Sequence, residues 1–339
     1  MNSSPKRPRA SGRVTLQDVA AAAGVSPITV SRALRGERAV AADLIERVQH
    51  AAAALGYVPD PAARALASSR SSHVAVLIPL LSNALFVDLL DAAQGALLPA
   101  GYQTLIGVTH YDPAEEEALL RSYLLHRPAG LIVTGFDRTD AARALIAASG
   151  VPCVHVMETV AADGIYSVGF SQADAGAAMT QALLDQGRSR IAFAAAQLDP
   201  RTLQRAEGYR RAMTKAGLAP REWLNAERSS LALGGALFAQ IRREAPDMDA
   251  IFFNNDDLAQ GALLAALRMG VRVPDEIAVA GFNDLTGSEQ MLPPLTTVRT
   301  PRSAIGLEAA RMLMALMRGE AVKRPQLDLG FELIRRGSA

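Results

Sequence analysis

Little in this chain can cross-link it or hold a metal. Its 339 residues include one cysteine, Cys153, so no internal disulfide can form and a reducing, cytoplasmic setting fits. Cys153 lies in a strand-like VPCVHV run, which predicts a buried small hydrophobe rather than a nucleophile. The five histidines are scattered without ligand spacing, so no metal site is expected. No apolar run reaches membrane-spanning length, and the basic first residues are not followed by the apolar stretch of a signal peptide. Neither a membrane partner nor export is expected. The first strand pattern is followed by neither a P-loop nor a GxGxxG, so a nucleotide-dependent enzyme is disfavoured and no cofactor is expected.

Half the residues are apolar, enough for two or three domains with real cores. The formal net charge of +1 hides a segregation. Residues 1–70 carry ten Lys or Arg against five Asp or Glu, whereas the remainder carries 25 against 29. A basic head on a mildly acidic body suits a polyanionic partner, and nucleic acid is the expectation.

Val14–Gly36, VTLQDVAAAAGVSPITVSRALRG, carries the head. Thr15 can cap a first helix, with acidic Asp18 three residues on. Leu16, Val19, Ala20 and Ala23 share one helical face. Gly24 allows a turn, Val25 can plug between helices, and Ser26-Pro27 opens a second helix. Val30, Ala33 and Leu34 then face inward, leaving Pro27, Ile28, Thr29, Ser31, Arg32 and Arg35 outward. The pattern describes a helix-turn-helix, although a plain helical hairpin shares these caps. Residues 1–12 read as a disordered tail and 42–55 as a third helix striped by Leu44, Val48, Ala51 and Leu55, with Gly56 ending it. Asp60-Pro61 starts an Ala-rich helix too short to be stable alone, and a Ser-rich joint follows at 68–72.

From Val74 the texture becomes alternating strands and helices. VAVLIP, YQTLIGV, AGLIVTG and VPCVHV read as buried strands, with helices near 84–99, 114–126 and 140–149. RIAFAAA, a helix through 201–216, AIFFN, a helix through 256–269 and EIAVAGF repeat the scheme. The predicted class is a small all-α helix-turn-helix headpiece plus a two-lobed α/β core with doubly wound parallel sheets. Ligands in such folds sit beyond the carboxyl ends of strands. The residues there are Ser82, Asn83 and Phe86, then Glu158, Phe170 and Ser171, then Asp199, Arg201 and Arg205. Asn254, Asn255, Asp256 and Asp257 follow the next strand, and Asn283 and Asp284 the last. The polar ones suit a small hydroxylated ligand, while each could equally be a helix cap. The Asp256–Asp257 pair has no nucleophile or metal partner to make it catalytic.

VTLQDVAAAAGVSPITVSRAL, GYVPDPAARALA, NNDDLAQGAL, GVRVPDEIAVAGFND and PPLTTVRTP together resemble the lactose/galactose repressor (LacI/GalR) family over essentially the whole chain after residue 12. GYQTLIG, LDPRT…GYRRAM…AGLAP and LDLGFEL are most similar to gluconate-utilisation repressors. The resemblance implies a homodimeric regulator with a headpiece at 13–58, a hinge helix and linker at 59–72 and a periplasmic-binding-protein-like core at 73–339. Its lobes would comprise about 73–170 with 302–328, and about 171–298 with 329–337. It implies that Thr15, Pro27, Ile28, Thr29, Ser31, Arg32 and Arg35 face DNA. Ala63, Arg64 and the wedge Leu66 would enter the minor groove at the centre of a pseudo-palindromic operator. The implied effector contacts are Ser82, Asn83, Phe86, Glu158, Phe170, Arg205, Asn255, Asp256 and Asn283. Asn283 stands where many relatives carry aspartate, and neutral Asn283 beside cationic Arg205 fits a sugar acid such as gluconate. An enzyme and an exported solute-binding protein are the rival readings. The first lacks a catalytic constellation, and the second leaves the basic head unexplained.

Overall fold

The computed structural model describes residues 14–34, 40–58 and 71–339. The expected tail, Arg35, and the hinge residues Ala63, Arg64 and Leu66 lie outside the described residues. The chain divides into two compact units, Met1–Ser71 and Ser72–Ala339.

In the first unit, α1 spans Leu16–Ala23, α2 Pro27–Leu34 and α3 Ala42–Ala54. Thr15 and Asp18 form a capping box: the Asp18 carboxylate accepts from Thr15 N at 2.9 Å while Thr15 Oγ1 accepts from Asp18 N at 3.3 Å. Gly24 closes α1 at φ 66°, the left-handed geometry that turns the chain into α2. Ser26 then accepts from Thr29 N at 3.2 Å and starts the second helix. Among the described residues the buried core is Val19, Ala20, Ala23, Val30, Ala33, Val48, Ala51 and Ala52, with Leu16, Leu34, Ile45 and Tyr57 packed against it. On α3 the packed stripe runs through Ile45 rather than the expected Leu44, and Leu55 is 38% exposed. Leu55 caps the helix, where it follows the chain out of the core.

The second unit has two lobes. One carries a six-stranded parallel sheet in the order β11-β5-β4-β3-β1-β2. These strands are β1 His73–Ile78, β2 Gln103–Val108, β3 Gly130–Thr134, β4 Cys153–Val156, β5 Ser167–Gly169 and β11 Gln326–Asp328. The other lobe holds the parallel order β7-β6-β8-β9, from β6 Ile191–Ala196, β7 Arg221–Asn225, β8 Ala250–Phe253 and β9 Ala278–Ala280. β10 Thr297–Arg299 and β12 Glu332–Ile334 form an antiparallel pair.

Helices cover both faces of each sheet, which is why the central strands are apolar throughout. In the first lobe α4 (Ala84–Leu97) and α11 (Arg302–Met317) bury Val74, Val76 and Ile78, and α5 (Pro113–Leu125) and α6 (Asp140–Ser149) bury Ala75 and Leu77. In the second, α7 (Gln172–Asp185) and α8 (Pro200–Lys215) cover Phe193 and Ala195. There α9 (Leu231–Glu244) and α10 (Asp256–Met269) cover Ala192 and Ala194. The α7–α8 crossing is close because Gly208 has no side chain, and a Cβ there would stand 1.9 Å from Ala173 O. That crossing brings Arg205, three residues earlier on α8, to the carboxyl end of the sheet. Cys153 opens β4 partly rather than fully buried, and desolvation pushes its thiol up to about 12, away from the thiolate.

Candidate functional site

On α2, Pro27 and Ile28 point outward, and Ile28 is 66% exposed although it is apolar. Thr29 is half-buried and its hydroxyl meets Ser26 Oγ at 2.8 Å, so it is tied to the helix start. Ser31 is half-buried and Arg32 exposed. Thr15 is exposed but spends its side chain on the α1 cap. The face is thus a short helix presenting an apolar residue, hydroxyls and a cation. Those groups can read thymine methyls, base edges and phosphates.

In the second unit the strand ends of both lobes line one cleft of about 320 Å³. Six expected residues are there: Ser82, Asn83, Phe86, Arg205, Asn255 and Asn283. Two double as caps, because Asn83 accepts from Leu85 N at 3.0 Å and Asn255 from Leu258 N at 3.0 Å. Ser229 also donates to Asn255 Oδ1 at 2.9 Å, fixing the 226–230 segment against the cleft wall.

Arg205 is buried in this wall. Its Nε donates to Gln172 Oε1 at 2.8 Å, its Nη1 to Asn254 O at 2.6 Å, and its guanidinium lies 3.9 Å over the Phe282 ring. Gln172 is itself held by donating to Met157 O at 3.0 Å. Burial lowers the Arg205 guanidinium to about 10, with Asp199 and Glu158 acting only at longer range. No carboxylate among the described residues comes within ion-pair distance of it. Arg201, one turn earlier, is the opposite case. Its guanidinium meets Asp137 at 2.8 Å, Glu158 at 2.9 Å and Asp199 at 3.0 Å. Burial would lower its pKa, but Asp199, Asp137 and Glu158 more than offset that and hold it above the ordinary arginine value. Asp137 and Glu158 follow strands of the first lobe, so Arg201 ties the lobes together at the cleft. Gly135 leaves room for it: at φ 63°, a Cβ there would stand 2.1 Å from Arg201 Nη1.

Three expected effector residues lie elsewhere. Asp256 is fully buried and its oxygens are occupied by Thr297 Oγ1 at 2.6 Å, Leu285 N at 2.6 Å and Ser288 Oγ at 2.8 Å. It pins loop 284–297 to α10 instead of facing the ligand, and burial pushes its carboxyl up to about 6. Phe170 is core, 6.4 Å from the Phe282 ring in a stacked pair. Glu158 is spent on Arg201 and on Gln204 Nε2 at 2.9 Å. Each is drawn away by a stronger partner that is distant in sequence.

The cleft also contains residues the sequence reading did not single out: Tyr111, Gln197, Arg228 and Ser229. Tyr111 and Gln197 have φ of 60° and 55°, loop geometries that leave no periodic signal. Asp257, noted only as one of a run, lines the cleft in place of its neighbour. Asn283 holds φ 110°, with its N–H on Val298 O at 2.8 Å and its carbonyl held by Arg302. Its Oδ1 is buried without a hydrogen-bond partner among the described residues.

Comparison with known proteins places both sites in one family. A model described as bacterial regulatory proteins, lacI family, matches residues 15–60, and one described as a periplasmic binding protein-like domain matches 180–339. The HTH-type transcriptional regulator GntR of Pseudomonas aeruginosa is 54% identical over 98% of each chain. A crystal structure of transcription regulator GntR from Chromobacterium violaceum aligns at 44% identity with TM-score 0.77, covering 78% of this chain and 98% of that one. The Lac repressor dimer bound to operator and an anti-inducer aligns at 27% identity with TM-score 0.85, covering 96% and 99%. The headpiece, the two-lobed body and the relatives agree, and the chain belongs to the lacI family of bacterial regulatory proteins: it is a helix-turn-helix transcription regulator.

Proposed function

We propose that the protein is a cytoplasmic repressor that binds a pseudo-palindromic operator as a homodimer and is released when a sugar acid of the gluconate type enters the cleft. Two copies of α2 would occupy successive major grooves, with Pro27, Ile28 and Thr29 nearest the bases and Arg32 and Arg35 near phosphates. Ala63, Arg64 and Leu66 would act at the operator centre, where an apolar wedge bends the duplex. The Lac repressor, which this chain resembles in fold, is bound to its operator as a dimer, and that supports a dimer on DNA here.

The observation that carries the effector class is Arg205. A buried guanidinium fixed by Gln172 and Asn254, with no carboxylate within ion-pair distance among the described residues, is an incomplete ion pair. A ligand carboxylate completes it with short, charge-assisted hydrogen bonds. Asn283, neutral and lining the same cleft, adds no repulsion. Ser82, Asn83 and Ser229 add polar contacts, and Phe86 an apolar wall.

The effector binds between lobes that Arg201 ties together, so occupancy biases their relative angle and with it the hinges that must lie side by side on DNA. Moving the equilibrium from mostly bound to mostly free requires about 5 kcal/mol of differential affinity. The test is operator binding, followed by gel shift, with gluconate, 2-ketogluconate, 6-phosphogluconate and neutral sugars added in turn. Release by a sugar acid and not by neutral sugars is expected. If all leave the complex intact, the sugar-acid assignment fails.

A further inference from the structure

Asp256 and Asp257 are neighbours with opposite fates. Every oxygen of Asp256 is committed inside the protein, to Thr297, Leu285 and Ser288. Asp257 lines the cleft half-buried, and among the described residues no donor or cation partners its carboxylate. Burial raises its pKa, and nothing acts against that rise. Half-buried in the cleft wall and without a donor among the described residues, Asp257 is an acceptor that a cleft ligand can reach. Asn283 lines the same cleft but is only 4% exposed and its Oδ1 is buried, so Asp257 is the more accessible acceptor of the two. A reachable carboxylate without a protein donor suits a ligand that carries hydroxyl donors.

The cations set a further limit. Arg201 already faces three carboxylates, so its surroundings repel an additional anion. Arg205 is the one buried cleft arginine without a carboxylate partner among the described residues, and it matches one ligand carboxylate. Arg228 is exposed at the cleft edge. A phosphate ester would bring a further charge of about −1.5 to −2 into a wall that includes Asp257 and Asp199.

We propose that Asp257 is a specificity-determining residue: it accepts hydroxyls from an unphosphorylated, singly charged polyhydroxy acid and excludes ligands carrying a second anion. This rests on the sugar-acid reading of the cleft and adds the hydroxyl and charge requirements of the ligand.

The measurement is calorimetric titration of the full-length protein at pH 7.5 with D-gluconate, 6-phospho-D-gluconate and D-glucitol, for wild type and Asp257→Asn. Wild type should bind gluconate at least about 30-fold more tightly than the phosphorylated acid, as expected where a like charge faces a ligand anion. Asp257→Asn should lose about 10-fold in gluconate affinity, the scale of one charged hydrogen bond, while the gap to the phosphorylated acid narrows below about 5-fold. Thermal midpoints of the two proteins establish that both are folded, and Asp257→Ser repeats the titration should the asparagine variant unfold. The proposal is overturned if wild type binds the phosphorylated acid as well as gluconate, or if both neutral variants keep the wild-type affinities. If wild type binds no sugar acid, the reading of the cleft itself falls. Gluconate binding that ignores Asp257 removes only the role given to Asp257.

Discussion

The two working surfaces of this chain follow opposite plans. On α2 the outward face is thinly supported: Ile28 is two-thirds exposed, and the Thr29 hydroxyl meets Ser26 at its own helix start. In the cleft the groups are fixed beforehand. Arg205 is clamped by Gln172 and Asn254, and Asn254 Nδ2 in turn donates to Ala196 O at 3.1 Å and Thr202 Oγ1 at 3.0 Å. A duplex is large enough to order the side chains that read it, whereas a ligand filling about 320 Å³ has few atoms with which to do so. Substitutions should therefore separate cleanly between the two surfaces, and those that do not would break the contrast.

The largest effect is expected on the helix. Ile28→Asp places an anion at the operator and should weaken it about 100-fold, leaving gluconate affinity and the thermal midpoint unchanged. Anisotropy on an operator duplex and calorimetry on the same sample read both. Next comes Arg205→Gln, which should lower gluconate affinity about 50-fold while operator affinity stays within about 3-fold. Loss of DNA binding instead would make Arg205 a structural residue. Gly135→Ala forces a Cβ against Arg201 in a left-handed backbone and should cost the body about 2 kcal/mol in denaturant unfolding. An unchanged midpoint would mean that the Arg201 tie between lobes contributes nothing.

The smallest effect sharpens the contrast between neighbouring residues. At neutral pH Asp256→Asn should destabilise the body by about 1–2 kcal/mol, because an amide N–H replaces one acceptor facing three donors. The carboxyl is held near 6 in the folded chain and titrates at about 3.9 when unfolded. Between those values the folded form alone keeps the proton, so this site's contribution is fully present below about pH 4 and is lost as pH rises through about 6. The asparagine variant, which has nothing to titrate there, should show a flatter stability profile across that window. Equal slopes would contradict the burial of Asp256.

What the sequence disclosed follows the reach of each interaction. Thr15, Asp18, Gly24 and Ser26 act within three residues of themselves, and their caps and turn were legible without coordinates. The strand–helix alternation was legible for the same reason, since β1, β3 and β6 need apolar residues on both faces. Cleft membership was not. Phe86 and Phe170 both follow strands, yet only Phe86 reaches the cavity, because Phe170 packs on Phe282 more than a hundred residues away. Asp256 and Asp257 are indistinguishable in a string; Thr297 and Ser288, 41 and 32 positions on, decide between them. Tyr111 and Gln197 enter through loops of positive φ, for which neither residue type gives a cue. On α3 the choice of Ile45 over Leu44 is a rotation of one residue, finer than periodicity resolves.

The central claim is that a carboxylate seated on Arg205 loosens the grip of α2 on DNA. It is tested most directly by titrating D-gluconate and, separately, D-glucitol into a preformed operator complex and following anisotropy, for wild type and Arg205→Gln. Gluconate should lower wild-type operator affinity at least about 10-fold while glucitol leaves it unchanged, and the variant should ignore both. Release by glucitol as readily as by gluconate, or release of the Arg205→Gln complex at wild-type gluconate concentrations, would contradict it.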